Sequence, residues 1–184
     1  MSGTAHQELL ERFISAAARA VATVEIIPAT ADAVNESLMK ATSADEHVLL
    51  AEPDDIDPAL LAVFRTNPKV VTQPTAEEFS TVPAGITDAF AAIASTGSVC
   101  VSMSSHLTSP VSMLTRRHIV LVDGATIVER PSDVFSAQTL DGKGMSRSFT
   151  LITGPSATAD MGPLVRGVHG PGALHIIVLE RPND

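Results

Sequence analysis

The residues with chemical potential gather between 149 and 180, in the stretch FTLITGPSATADMGPLVRGVHGPGALHIIVLE. Two apolar runs, Phe149–Ile152 and Ala173–Leu179, read as buried strands and enclose twenty residues holding five glycines and three prolines. Gly154, Pro155 and Ser156 follow the first run and precede a helical pattern from Ala157 to Met161. With Ser156 as the cap, the backbone N–H groups of such a helix start can hold an anion. Gly167-Val168-His169-Gly170-Pro171 then sets a histidine between residues that let the backbone approach closely. His169 is the candidate acid–base or donor group, because an unperturbed imidazole titrates near neutral pH; the alternative is a histidine that bonds a loop carbonyl. Arg166 reads equally as an anion clamp or a solvated side chain. Asp160 reads as first-turn helix charge before it reads as a partner to the site. Together these residues read as half of a ligand site, or the relic of one.

Other groups carry less. Ser104-Ser105-His106 invites nucleophilic catalysis, but a triad is defined by spatial roles rather than adjacency, and a solvated loop is the favoured reading. Cys100, the single cysteine, falls inside an apolar strand pattern and reads as a small buried hydrophobe. His118 and His175 stand at strand starts and read as structural. The six histidines show no i,i+4 pair, and no second cysteine exists to complete a zinc site, so no metal is expected. Dinucleotide, phosphate-loop, nucleophile-elbow and calcium-loop motifs are all missing, and no cofactor is expected.

Composition narrows the partners. The chain has 184 residues, a length that suits one domain spanning 1–184. Aromatic residues make up only 3% of it, which argues against base-stacking surfaces for nucleic acid. The net charge of −9 resides entirely in residues 1–92, while residues 93–184 hold seven acids and seven bases. That acidity argues against nucleic acid and anionic membranes; the neutral half, with Arg116, Arg117, Lys143, Arg147 and Arg166, is the better host for a small anionic ligand. No apolar run reaches the ~20 residues of a membrane span, and the first residues lack a signal-peptide pattern, so a cytoplasmic location is expected.

The elements that must position these residues alternate. An amphipathic helix with Leu9, Leu10, Phe13, Ile14 and Ala17 on one face begins at a Thr4/Gln7 capping box. A strand follows at Val21–Pro28, then a helix capped by Thr30, a strand at His47–Ala51, the acidic loop Glu52–Asp57, a helix opened by Asp57-Pro58, a strand at Lys69–Thr72, and a short helix boxed by Thr75 and Glu78. Further on, Gly85–Asp88 leads into Ala89–Thr96, whose propensity does not decide between strand and helix. The turn Thr96-Gly97-Ser98 enters a strand at Val99–Val101. Ser109-Pro110 opens a short helix, His118–Val122 is a strand, a helix follows Pro131, and Asp141–Gly144 is a turn. Alternating strands and helices, with a Val/Ile/Leu/Ala core, predict a single-domain three-layer α/β sandwich with a mostly parallel sheet.

Three of these stretches resemble one family. FTLITGPSATAD with GVHGPGALHIIVLE, AAIASTGSVCVS at 91–102 and SPVSMLTRRHIVLV at 109–122 are together similar to the landmarks of the LUD-domain family, of the lactate-utilisation protein C type. The similarity spans about residues 84–180. It implies the fold of ribose-5-phosphate isomerase and CoA transferases, and a bacterial role in oxidising L-lactate to pyruvate as a non-redox accessory subunit beside separate iron–sulfur subunits. The site would join Thr96, Gly97 and Ser98 to Gly154, Pro155 and Ser156 and to Gly167 and Gly170, around His169. Ser95, Thr115 and Gly162 depart from the family pattern, which usually has an acidic residue, a proline and an acidic residue there. The alternative is a stand-alone enzyme acting on a phosphorylated or CoA-linked small molecule, with His169 as acid–base group and Arg166 as anion clamp.

Overall fold

Helix starts follow the local chemistry of the chain. In the computed structural model, which describes residues 3–103, 105–136, 139, 148–159 and 162–181, Thr30 Oγ1 accepts from Ala33 N (3.3 Å) to cap α2, Ala31–Ala41. Asp57 accepts from Ala59 N (2.9 Å), with Pro58 at the first position of a 3-10 turn, Pro58–Leu61, that runs into α3, Ala62–Arg65. Thr75 and Glu78 form the reciprocal box before α4, Glu78–Thr81: Thr75 N donates to Glu78 (2.7 Å) and Glu78 N donates to Thr75 Oγ1 (3.3 Å). The box predicted at Thr4 is not made. Thr4 already lies within α1, Gly3–Arg19, and Gln7 donates instead to Glu11, one turn on.

Six strands form one sheet in the order β1-β12-β7-β4-β2-β3, with every pairing parallel: β1 is Thr23–Pro28, β2 Val48–Leu50, β3 Val70–Val71, β4 Ala84–Ala89, β7 Arg117–Asp123 and β12 Ala173–Glu180. Their alternation sorts the core. Val120, Val122, Ile176 and Val178 face Leu10, Phe13 and Ala17 of α1, and Ile119, Leu121, Ile177 and Leu179 face Val34 and Leu38 of α2 with Phe64 of α3. Burial of each large side chain contributes roughly 1.5–3 kcal/mol before entropy is counted. This is the expected layered α/β architecture with a mostly parallel central sheet.

The second half departs from a single sheet. β5 (Ala91–Ile93) and β6 (Ser98–Ser102) form an antiparallel hairpin, flanked by β8 (Ile127–Val128) and β9 (Phe149–Ile152) in a four-stranded sheet of order β8-β5-β6-β9. Val99 and Val101 of β6 pack into the cluster on the α1 face of the large sheet. The remaining helical segments are α5, Thr108–Leu114, and 3-10 turns at Gly124–Thr126 and Pro131–Phe135.

Two expectations are corrected here. Gly85–Asp88, read as a lead-in, belongs to central strand β4, buried throughout. The helix expected from Ala157 does not start there: Ala157–Thr158 is β10, paired antiparallel with β11, Val165–Arg166, and Asp160 and Met161 lie outside the described residues. Ser156 N donates to Pro171 O (2.8 Å) and Ser156 O accepts from Gly167 N (3.0 Å), so that backbone serves a ribbon and offers no helix N-terminus to an anion. Ser104, Asp160, Lys143, Arg147 and the turn Asp141–Gly144 lie outside the described residues. Among the described residues no helix is long and apolar enough to cross a membrane.

Candidate functional site

Two glycine turns press on the end of α1, one in the wall of the site and one behind it. Gly97 and Gly154 both have left-handed φ (69° and 68°), and a Cβ on them would stand 2.2 Å from Ala17 N and 2.0 Å from Ala20 O. Only glycine meets both requirements at once. The chain leaves the helix through Val21, held at φ 65°, with Ala22 N donating back to Ala17 O (2.9 Å). A hydroxyl chain joins the two glycine turns: Thr96 Oγ1 lies 2.7 Å from Ser98 Oγ, which lies 2.6 Å from Thr153 Oγ1.

Beyond Thr153 opens a cavity of about 300 Å³. It lies at the amino ends of β7 and β12, under Ser112 and Met113 of α5, beside Leu151 and Ile152 of β9, and against the loops 153–156 and 169–171. Of the residues singled out in the sequence, Gly154, Pro155, Ser156, His169 and Gly170 line it. Thr96, Gly97 and Ser98 stand behind its wall and reach it through Thr153. Gly167 and Arg166 are not in the lining; both are exposed on the ribbon, and Asp160 lies outside the described residues. His169 is exposed at the mouth.

The residue that sequence reasoning passed over is His118. It is second in β7, is 1% exposed, and lines the cavity. Its Nε2 lies 2.8 Å from Thr87 Oγ1 of β4, while its Nδ1 is buried with no hydrogen-bond partner among the described residues. Burial pushes its pKa down to about 3, so the imidazole is neutral at physiological pH. A group so depressed transfers protons poorly near neutrality, but it hydrogen-bonds well. Nδ1 accepts if Nε2–H donates to Thr87 and donates if the Thr87 hydroxyl gives its proton to Nε2. The sequence signal was present: a histidine in the run RRHIVLV, at a position whose alternation aims it at the core.

Ligands of open parallel sheets usually sit at the carboxyl ends of the strands. Here the carboxyl end of β4 is closed by the acidic loop. Asp88 accepts from Asp54 N (2.8 Å), Asp55 N (2.6 Å) and Ile56 N (3.0 Å). Burial raises its pKa, opposed by those N–H bonds. Cys100 is buried in β6, and burial pushes its thiol up to about 12, which makes it unreactive. Among the described residues, no three His, Cys, Asp or Glu side chains are grouped to hold a metal ion.

A parallel-sheet α/β protein with a ligand-sized, histidine-floored cavity walled by glycine–proline loops is the class defined by fold and site. The LUD domain matches residues 9–179, and the chain belongs to that family. Two curated relatives are each called lactate utilization protein C: one of Bacillus velezensis, 36% identical over 102 residues, and one of Bacillus subtilis, 35% identical over 102 residues. Each match takes in 53% of this chain and 42% of the relative, so the chain matches less than half the length of either. A crystal structure of a DUF162 family protein from Deinococcus radiodurans superposes with a TM-score of 0.67 at 20% identity, covering 95% of this chain and 98% of that one, and shares the fold.

Proposed function

We propose that the protein acts in lactate utilisation as a non-redox accessory subunit that holds a small carboxylic acid in the cavity floored by His118, beside separate iron–sulfur subunits. The observation that carries the binding half is the unpartnered Nδ1 of a buried, neutral imidazole lining a ligand-sized space. An unsatisfied buried polar atom costs on the order of 1–3 kcal/mol, which a ligand oxygen would offset. Leu151, Ile152 and Leu174 supply apolar surface for a short carbon chain, and Ser112, Thr153 and Ser156 supply hydroxyl or backbone groups. His169 stands exposed at the mouth, and the carboxylate is assigned to it. The pathway half rests on family membership and on the names of the Bacillus relatives.

Three measurements test the reading. Titration with L-lactate and pyruvate is expected to raise the melting temperature; at ~100 times the dissociation constant a ligand adds about 2.7 kcal/mol. Affinity purification from the native cell is expected to recover cysteine-rich iron–sulfur proteins with lactate-oxidising activity. No stabilisation by either acid removes the ligand assignment. Normal growth on lactate after deletion of the gene, with no iron–sulfur protein recovered, removes the pathway.

A further inference from the structure

Directly across the sheet from His118 is a second cavity, of about 500 Å³, with opposite chemistry. Its lining includes Thr23 and Glu25 of β1, Lys40 near the end of α2, Arg117 at the start of β7 and His175 of β12. Alternation along the strands explains the pairing. Arg117 and His118 are adjacent in β7, Leu174 and His175 in β12, and each pair sends one side chain to each face.

We propose that this second cavity is a binding site for a small oxyanion, a carboxylate or a phosphate, held by Arg117 and Lys40. The argument is a count of donors against acceptors. Glu25 is the one carboxylate in the lining, and it is already engaged: Oε2 accepts from Ser37 Oγ (2.7 Å) and lies 3.5 Å from His175 Nε2, and Oε1 accepts from Lys40 Nζ (3.4 Å). His175 is engaged as well, with Nδ1 2.8 Å from Thr23 Oγ1.

The donors are not used up. Arg117 pairs through Nη2 with the nearly buried Asp45, and its Nε is buried with no hydrogen-bond partner among the described residues. Lys40, with one acceptor among the described residues, keeps two of its three N–H groups for another. Lys40 stands in the last turn of α2, where the helix dipole favours a cation, and Lys69 Nζ takes the Thr42 carbonyl beyond it (2.8 Å). Asp45 and Glu25 balance Arg117 and Lys40 in formal charge, so the case for a ligand rests on the unused N–H groups of the two cations. A guanidinium and an ammonium around a recess form the usual clamp for carboxylate or phosphate oxygens. This site is independent of the histidine-floored cavity and of the acid assigned to it.

Amide-resolved NMR titrations with inorganic phosphate and, separately, with acetate, both at low ionic strength, test the assignment residue by residue. The expected result is a saturable shift at Thr23, Glu25, Lys40, Arg117 and His175 that weakens with added sodium chloride. Lys40→Met is expected to weaken the binding about tenfold, because it removes one of two charge-assisted contacts. Tenfold preference for phosphate would mark a phosphorylated ligand, and preference for acetate a carboxylate. Arg117→Gln alone strands Asp45, so the double variant Arg117→Gln/Asp45→Asn is the second test, and it is expected to abolish the shifts. Failure of both anions to saturate, or equal binding by the parent and Lys40→Met, overturns the proposal.

Discussion

Two cavities open at the same end of the parallel sheet, one on each face, and adjacent residues divide between them. On the α1 face, the described lining has no lysine or arginine, and its deepest polar group is the neutral imidazole of His118. On the α2 face, Lys40, Arg117, Glu25 and His175 crowd one recess. The first is a site of shape, walled by backbone that only glycine allows; the second is a site of charge, set in side chains with solvent access. The rule that places side chains alternately on the two faces of a strand therefore puts two different chemistries one residue apart, and a one-residue slip of β7 or β12 would exchange them.

The largest expected effect falls on the wall of the first cavity. Gly154→Ala forces a Cβ into Ala20 O at a left-handed φ, and is expected to cost about 3 kcal/mol in a urea unfolding midpoint. A loss under ~0.5 kcal/mol would mean that the wall yields, and that the contrast between a rigid and an adaptable cavity is false.

Next is the pH dependence of His118. Its pKa is 6.5 unfolded and about 3 folded, so below pH 6.5 the unfolded chain binds the proton first. Its contribution is whole above 6.5 and is lost as pH falls toward 3, at up to about 1.4 kcal/mol per pH unit. His118→Leu is expected to flatten the stability–pH slope between 6.5 and 4 by that amount; an unchanged slope would show that the imidazole is not held neutral.

The smallest effect belongs to the charged recess. Lys40 is 77% exposed in its side chain, and Lys40→Ala is expected to leave thermal stability within about 0.5 kcal/mol of the parent. A larger loss would mean that the recess is part of the scaffold rather than a surface available to a ligand.

Much of the layered architecture was legible because local signals agreed with it: Thr30, Asp57-Pro58 and the Thr75/Glu78 box all mark helix starts where the chain makes them. The errors came where tertiary pairing overrode local propensity. Ala157–Met161 has helical composition, yet Ala157 and Thr158 find ladder partners in Val165 and Arg166 across the loop. Gly85 and Asp88 look like turn residues. In β4, Gly85 admits the carbonyl of Val111, 2.4 Å from where its Cβ would lie, and Asp88 is satisfied by three N–H groups from a loop over thirty residues away. The glycine–proline loops announced a cavity, because glycine density marks close backbone approach. The alternation of RRHIVLV aims His118 at the core, but only the fold shows that the space beside it is open.

The position of β12 carries a consequence for the order of assembly. It lies between β1 and β7, so residues 173–180 give β1 its hydrogen-bonding partner. Thr23 meets His175 across 152 positions of chain. On the ribosome, where early residues emerge first, β1 must wait for β12 with its backbone unpaired, and contacts this distant in sequence close slowly. The interval exposes Ile27 of β1 and the apolar face of α1, both buried in the finished fold, to stray association. The delay in pairing β1 is thus a property of the strand order, set apart from whatever either cavity binds.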